Sequence, residues 1–269
     1  MEEKVLEQNK REILKNIKNS EEKIVLAKAL DKAIFSYKTN NCTFTDFLDL
    51  YKINILKNII DKNININYKV YGGYLESERG MIAFYPEFME INFDNYPLTI
   101  LEIAINTTYS NSITHKDYLG SILGLGLKRN KIGDIIVLNN KALCFVSADI
   151  SDYIIYNLSK VKNSKVTVNK KISLENYNLN QNFNEITFTV QSLRVDTLMS
   201  KSFNVSRTIS NKMISSKKLF VNWKMIDNCS YVPKEKDIIT LRGYGRIQLK
   251  NIGGLNKKGK IKLTILKYT

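Results

Sequence analysis

The side chains whose types and spacing could do chemistry in this chain are cations, and the chemistry is the binding of a polyanion. Arg194, Arg207, Lys212, Lys217, Lys218 and Lys224 crowd one stretch, and Arg242 and Arg246 follow around Gly243-Tyr244-Gly245. Guanidinium and ammonium groups at that density match a row of phosphates. For any single lysine a solvated face is the default, so the cluster carries the argument. Arg207 adds a local hint. It falls in the first turn of a helix that Ser206 can cap, where the helix dipole disfavours a cation unless an anion compensates. A phosphate would be such an anion. Tyr244 or Trp223 could stack on a base, or could equally be packed or simply exposed.

A second basic group comprises His115 and Lys116, then Lys128, Arg129 and Lys131 in what reads as an exposed loop. His115, the only histidine, stands beside Asp117, but nothing nearby supplies a nucleophile. Thr114 and Asp117 already have the spacing of a capping box, so a helix-terminal role or a phosphate contact outweighs acid–base catalysis. Gly120, Gly124 and Gly126 lie on and after a helix, whereas a phosphate-binding fingerprint sits between a strand and a helix start, and G-K-[ST] is missing. The run Lys212 to Lys218, KMISSKK, has the look of a synthetase adenylate-loop signature, but it lies where a helix meets a strand, with no nucleotide-binding domain before it. Cys42, Cys144 and Cys229 are far apart, in no metal-ligand spacing, and read as reduced thiols. No cofactor and no metal is called for.

Composition sharpens the polyanion reading. The 269 residues carry 41 Lys and Arg against 26 Asp and Glu, a net of +15. From Leu193 to Thr269, 17 basic face 4 acidic residues, a net of +13, which leaves +2 for residues 1–192. With 43% apolar residues the chain can bury a real core, and its length suggests two domains. No run of about 18 apolar residues occurs. The opening MEEKVLEQNKREIL carries acidic residues and no apolar leader core, so a soluble, cytoplasmic protein without a membrane partner is expected.

The elements that must position these cations read as α+β. Residues 1–64 form an N-terminal helical segment. Leu26, Leu30, Ala33, Ile34 and Tyr37 recur at helical spacing, and Thr43 with Asp46 is spaced to start a further helix carrying Phe47, Leu48, Tyr51, Ile55 and Ile59. Residues 65–175 form a central mixed α+β domain. Strands are expected at Asn67 to Tyr71, Met81 to Tyr85, Leu98 to Ile105 and Lys165 to Val168. A helix follows Thr114, stapled by Ile113 and Tyr118, and continues through Leu119, Ile122 and Leu123. Ile135 to Leu138 and Ala142 to Val146 form a hairpin on Asn139-Asn140, residues that tolerate positive φ. Ser147 to Ser159 is helical. Residues 176–191, polar and rich in Asn, form a linker. In residues 192–269 Asp196 can cap one short helix and Ser206 a second with Ile209, Met213 and Ile214 on one face. A strand follows with Leu219 and Val221 on one side.

The series Arg194 and Asp196, Ser206 and Arg207, Val221 and Asn222, and Asp237 leading to Arg242 resembles the S4 RNA-binding domain, two short helices with a small β-sheet. Two departures affect turns: Ser215-Ser216 stands at the usual glycine turn, and Glu235-Lys236 replaces the Gly before Asp237. Thr114 to Gly120 (THKDYLG), Leu125 to Arg129 (LGLKR) and Ile132 to Ile135 (IGDI) resemble the central, RRM-like RNA-binding domain of the YlmH-type S4 proteins of bacteria. What this family implies is a non-enzymatic, RqcP-like RNA-binding protein of the large ribosomal subunit. It would contact 23S rRNA and tRNA in ribosome-associated quality control while a NEMF-type factor adds alanine tails to an obstructed peptidyl-tRNA. It would be a monomer off the ribosome. The S4 surface would anchor to one RNA element while Lys128 to Lys131 touches a second. An RNA-modifying enzyme targeted by S4 is the alternative, although its S4 module normally precedes a catalytic domain with a G-R-L-D-type motif, missing here. A link to cell division, noted for some members, has no sequence feature behind it.

Overall fold

The computed structural model describes residues 10, 12, 14, 15, 17, 19–106, 113–174, 177 and 183–268. The helical expectation for the first nine residues lies outside this range. The chain divides into two compact units, residues 1–177 and 178–269.

The first unit opens on α1 (Ser20–Thr39), whose Asn19 cap accepts from the backbone N–H groups of Glu21 and Glu22, and which stops at Asn40 in the left-handed conformation, φ 54°. Its stripe of Leu26, Leu30, Ala33 and Ile34 packs against Ile53, Leu56 and Ile60 of α2 (Leu50–Asn63). Thr43 and Asp46 do not start that helix. Thr43–Phe44 is a short strand, β1, and Leu48–Asp49 another, β2, both antiparallel to β4 (Arg79–Tyr85), which also pairs with β3 (Asn67–Tyr71). Thr45 completes the ladder: its N–H donates to the Ile82 carbonyl at 2.9 Å and its hydroxyl accepts from the Ile82 N–H at 2.9 Å. The helix begins later because Asp49 caps it, accepting from the Lys52 N–H at 3.0 Å. The segment 1–64 is therefore not purely helical. Residues 67–85 belong with it, since Ile82 and Phe84 of β4 complete the α1–α2 core.

A five-stranded antiparallel sheet follows in the same unit: β5 (Leu98–Ile105), β6 (Ile132–Val137), β7 (Lys141–Ser147), β8 (Lys160–Val161) and β9 (Ser164–Lys171), in the order β6-β7-β5-β9-β8. Helices α3 (His115–Leu123) and α4 (Ala148–Asn157) cover one face, where Tyr118, Ile122 and Ile154 meet Leu101, Ile103, Cys144 and Val146. Each such fully buried aliphatic side chain contributes roughly 1.5–3 kcal/mol. Thr114 and Asp117 form the expected capping box, the Asp117 carboxylate accepting from the Thr114 N–H at 2.8 Å. The β6–β7 turn differs in one respect: neither Asn139 nor Asn140 has positive φ, and the Leu138 N–H closes the turn on the Lys141 carbonyl at 2.8 Å.

The second unit is a six-stranded antiparallel sheet with two helices on one face. In chain order it contains β10 (Phe183–Val190), α5 (Val195–Ser202), α6 (Arg207–Ser215), β11 (Leu219–Val221), β12 (Lys224–Ile226), β13 (Ile238–Leu241), β14 (Gly245–Leu255) and β15 (Ile261–Tyr268). Strand order is β10-β15-β14-β13-β11-β12. Alternation aims Leu219, Val221, Ile239, Leu241, Ile247, Leu249, Leu263 and Ile265 at Val195, Leu198, Met199 and Ile214 of the helices. Residues 183–190, read from sequence as linker, are a full strand of this sheet. All eight pair with β15, which would otherwise present an open row of N–H and C=O groups. What remains between the units lies largely outside the described residues.

Candidate nucleic-acid interface

The N-terminal ends of α5 and α6 are tied together by one carboxylate. Asp196 is not the cap of α5, which starts at Val195. It sits in the first turn with its side chain 1% exposed. Arg194 Nε donates to Asp196 Oδ1 at 3.1 Å and Arg194 Nη2 to Oδ2 at 3.1 Å. Arg207 Nη2 reaches the same Oδ2 at 3.1 Å, and the Thr197 N–H donates to Oδ1 at 2.8 Å. Burial pushes the Asp196 carboxyl up, but the hydrogen bonds from Arg194 and Arg207 outweigh it and hold its pKa below the ordinary value. The anion that offsets Arg207 in its helix's first turn is thus Asp196 of the same chain. Two guanidinium groups on one carboxylate leave one surplus positive charge, and the Arg207 side chain is 60% exposed.

Ser206 caps α6 as expected, accepting from the Ile209 N–H at 3.2 Å. The buried edge of that helix is Ser210 and Ile214, with Met213 half-buried; Ser210 Oγ donates to the Asp196 carbonyl at 3.0 Å, and Ile209 is exposed. Small Ser210, not Ile209, faces α5 because it must fit against the α5 backbone. At the other end, Lys217 takes φ 59°, its N–H donating to the Ile214 carbonyl at 2.9 Å while the Lys218 N–H donates to the Met213 carbonyl at 3.1 Å. This is a Schellman ending with lysine at the position that favours glycine. The left-handed residue is therefore Lys217 and not the Ser215-Ser216 pair. Lys236, before Asp237, is also left-handed, at φ 71°, its N–H donating to the Leu249 carbonyl at 2.7 Å. Lys212, Lys217 and Lys218 are exposed around this helix end.

The motif residues Asn222 and Asp237 have a structural use. Asn222 and Trp223, φ 48° and 64°, form the two-residue turn between β11 and β12. Asn222 Nδ2 donates to Asp237 Oδ1 at 2.8 Å, Asn222 Oδ1 accepts from the Ile238 N–H at 2.9 Å, and Asp237 Oδ2 accepts from the Lys234 N–H at 2.8 Å. Lys224 is exposed just beyond this turn. Arg242 and Arg246 do not join the helix-end cluster. Arg246 alternates with Ile247 and so faces away from the helices, its Nε donating to Thr240 Oγ1 at 3.1 Å and its guanidinium 5.6 Å from the rings of both Trp223 and Tyr268. The Arg242 guanidinium lies 4.3 Å from the Phe220 ring. Tyr244 is 38% exposed, its ring 6.3 Å from that of Phe203.

In the first unit the predicted residues divide. His115 begins α3, and desolvation and then the Arg129 charge lower its pKa, so it is neutral at pH 7 and could meet a phosphate only as an N–H donor. Lys116 and Lys128 are exposed. Arg129 and Lys131 are not part of an exposed loop. The Arg129 guanidinium turns inward to the carbonyls of Ile132 and, at 3.3 Å, Gly133, while Lys131 bridges Asp46 at 3.0 Å and Asp149 at 2.8 Å. Asn130 docks beside them, its carbonyl accepting from the Phe47 N–H at 2.9 Å and its side chain donating to Asp46 at 2.7 Å. Gly133 permits this closeness, since a Cβ there would lie 2.6 Å from the Phe47 ring.

Two buried carboxylates escaped the sequence reading. Asp134 Oδ2 accepts from Tyr74 OH at 2.9 Å and the Glu78 N–H at 2.7 Å, and burial raises its pKa to about 6. Glu102 is bridged by Lys141 at 2.8 Å, Lys171 at 3.2 Å and the Tyr177 hydroxyl. Desolvation opposes these bonds, which still lower its pKa to about 2. The available signal was the context: an acid inside an apolar strand, IGDII or LEIAI, must have partners when buried.

Residues 92–176 match the family described as "Putative RNA-binding domain in YlmH". That stretch begins after β4, consistent with residues 67–85 packing on the helical layer. The chain is also 31% identical over 224 residues to the "Ribosome-associated protein quality control protein P2" of Bacillus subtilis (strain 168), covering 82% of this chain and 85% of that protein. Among solved structures, "Cell division protein ylmH from Streptococcus pneumoniae" aligns with a TM-score of 0.49 and 19% identity, over 58% of this chain and 94% of that one. With identity at this level running through most of both chains of the Bacillus pair, the protein described here belongs to the YlmH family.

Proposed function

We propose that this chain is a non-enzymatic RNA-binding protein of the large ribosomal subunit. It binds 23S rRNA and peptidyl-tRNA on obstructed subunits in ribosome-associated quality control, alongside a NEMF-type factor that adds alanine. The observation that carries this reading is the pair of arginines held on the buried Asp196 carboxylate, with Lys212, Lys217 and Lys218 exposed on and just after the helix that Arg207 begins. Asp196 fixes two guanidinium groups in one geometry, which lowers the conformational entropy lost when they meet phosphates. The name of the Bacillus relative supports the ribosomal setting. In this reading the second unit is an S4 domain whose RNA contacts are Arg194, Ser206, Arg207, Lys212, Lys217, Lys218 and Lys224. Lys116 and Lys128, with His115 as a neutral donor, supply a weaker contact from the first unit. No helix among the described residues is long and apolar enough to cross a membrane.

The test is binding of the full chain to large subunits with and without P-site tRNA, titrated against salt. Each phosphate neutralised contributes about −0.7 to −0.9 to the log–log slope. Tighter binding with tRNA present, and a slope shallower by about 2 in the triple variant Lys212→Ala, Lys217→Gly, Lys218→Ala, are expected. An unchanged slope in that folded variant would remove the helix-end surface from the interface, and equal binding with and without tRNA would remove tRNA from the site.

A further inference from the structure

One basic stretch of the first unit is not neutralised by the fold. Residues 158–171, which build the β8–β9 hairpin, hold five lysines and no acidic residue. The two at the end of β9 are answered from other elements, Lys170 by Asp152 at 2.6 Å and Lys171 by Glu102 at 3.2 Å. Lys160, Lys162 and Lys165, toward the tip, are exposed and bond to no carboxylate among the described residues. The register sets two of them against each other: Lys160 stands directly opposite Lys165, and Val161 opposite Ser164. Like charges facing across a strand pair repel and weaken the hairpin. Lys162 then opens the two-residue turn at φ 55°, a conformation that favours glycine, as Lys217 does after α6. Lys162 feels the Asp117 charge, but that carboxylate is committed to the Thr114 N–H at 2.8 Å and the Thr114 hydroxyl at 2.9 Å.

Neither feature helps the hairpin fold, and the repulsion is relieved by an anion lying along it. Edge protection does not account for the pair. Lysine blunts an open strand edge, but β8 is only two residues long, and a second lysine facing the first adds repulsion without adding cover. The side chains around the pair say which anion fits. Val161, Val166 and Val168 are buried in the core, so alternation leaves Lys160, Lys165, Thr167 and Asn169 together on the outward face of the hairpin. That face has no apolar side chain to anchor an acidic protein and no aromatic ring to stack a base. It offers ammonium groups and small polar side chains, which suit the phosphates and ribose hydroxyls of an RNA backbone. We propose that this hairpin is the first unit's grip on the RNA backbone, Lys160 and Lys165 holding neighbouring phosphates and Lys162 a third from the tip. The proposal rests on the RNA-binding reading above and gives the first unit the contact that Lys128 to Lys131 was expected to make.

Acylation of the lysines of the full chain, read by mass spectrometry with and without protein-free large-subunit rRNA or intact large subunits, reports on the site directly. Lys160, Lys162 and Lys165 should react several-fold more slowly with either partner present, while exposed Lys62 of α2 serves as the unchanged reference. The double variant Lys160→Gln, Lys165→Gln should give a salt slope of subunit binding shallower by about 1.4–1.8, for two phosphates at about 0.7–0.9 each. Its urea midpoint should be no lower than that of the parent chain, because the facing repulsion is gone. Hairpin lysines left reactive while Lys212, Lys217 and Lys218 are protected would overturn this site and leave the ribosomal reading standing. Protection by intact subunits but not by rRNA would assign the hairpin to a protein partner and overturn the proposal too. No protection of either set of lysines would sink the ribosomal reading along with it.

Discussion

The two units use their cations in opposite ways. In residues 1–177 the conspicuous basic residues are engaged by the fold: Arg129 by strand carbonyls, Lys131 by Asp46 and Asp149, Lys141 and Lys171 by Glu102. In residues 178–269 only Asp196 binds more than one cation among the described residues, and even there two arginines share it. Net charge is near balance in the first region and strongly positive in the second. The difference teaches that a basic cluster in sequence stays displayed in the fold only where its carboxylate partners are too few to neutralise it. Lys128 to Lys131 has partners within reach, whereas Lys212 to Lys218 has none in its own helix.

The sharpest way to break this comparison is to remove the one shared carboxylate. Asp196→Ala removes the buried carboxylate that both guanidinium groups share; because the arginines left behind are partly exposed and water can solvate them, the loss is about 1–3 kcal/mol, below that of a fully buried cluster. Urea unfolding should show this loss, while Asp196→Asn, which still accepts hydrogen bonds, loses less. A cost under about 1 kcal/mol for the alanine variant would mean that the arginines are not held by Asp196 in solution.

The first unit offers a pH contrast. Asp134, with a pKa raised to about 6 from an ordinary 3.8, binds its proton more tightly folded than unfolded. Stability from this group is therefore highest below pH 3.8 and falls as pH rises toward 6, by up to about 3 kcal/mol. Asp196 and Glu102, whose pKa values are lowered, act in the reverse direction, with stability lost as pH falls below their ordinary values. Above pH 4.5 Asp134 is opposed by His115, whose lowered pKa makes its contribution to stability rise with pH toward its ordinary 6.5. The Asp134 contribution is therefore read as a difference: with unfolding measured at pH 4.5, 5, 6 and 7, the parent chain should lose stability relative to Asp134→Asn as pH rises across this range. Parallel curves would rule out a perturbed Asp134.

Arg129→Ala distinguishes an engaged cation from a displayed one. Losing its bonds to the Ile132 and Gly133 carbonyls should destabilise by about 1–2 kcal/mol, with the salt slope of subunit binding unchanged. A slope shallower by about 0.8 would return Arg129 to the RNA surface.

How much of this was legible in the sequence depends on whether the signal was local. The capping box at Thr114 and Asp117, the Ser206 cap, and the strands at Leu98 to Ile105 and Leu219 to Val221 follow from spacing within a few residues, and the structure has them. Where a distant partner decides, the reading failed. Thr43 became a strand because β4 pairs with it, residues 183–190 became a strand because β15 does, and Lys131 is engaged because Asp46, far back in the chain, lies beside it. The candidate interface shows the same split. Arg194 and Asp196 are two residues apart and visible as a motif. That Arg207 shares the same carboxylate, and that Arg246 faces the other side of the sheet, requires the packed helices and the strand register.

The smallest effect tests the displayed side most cleanly. Lys217 ends α6 with φ 59°, a conformation that costs a side-chain-bearing residue roughly 1–2 kcal/mol and glycine almost nothing. Against that relief stand the extra flexibility of glycine in the unfolded chain and the loss of a cation near the helix C-terminus, a position worth about 0.3–1 kcal/mol. Lys217→Gly should therefore raise stability by about 0.5 kcal/mol, read as a slightly higher urea midpoint. If Lys217 meets a phosphate, the same substitution makes the salt slope shallower by about 0.7–0.9. A chain that becomes more stable while binding RNA less tightly would show that this lysine holds a glycine's position for its charge. A chain with higher stability and an unchanged slope would mean that the lysine at this turn is only tolerated, and that the displayed surface begins elsewhere on α6.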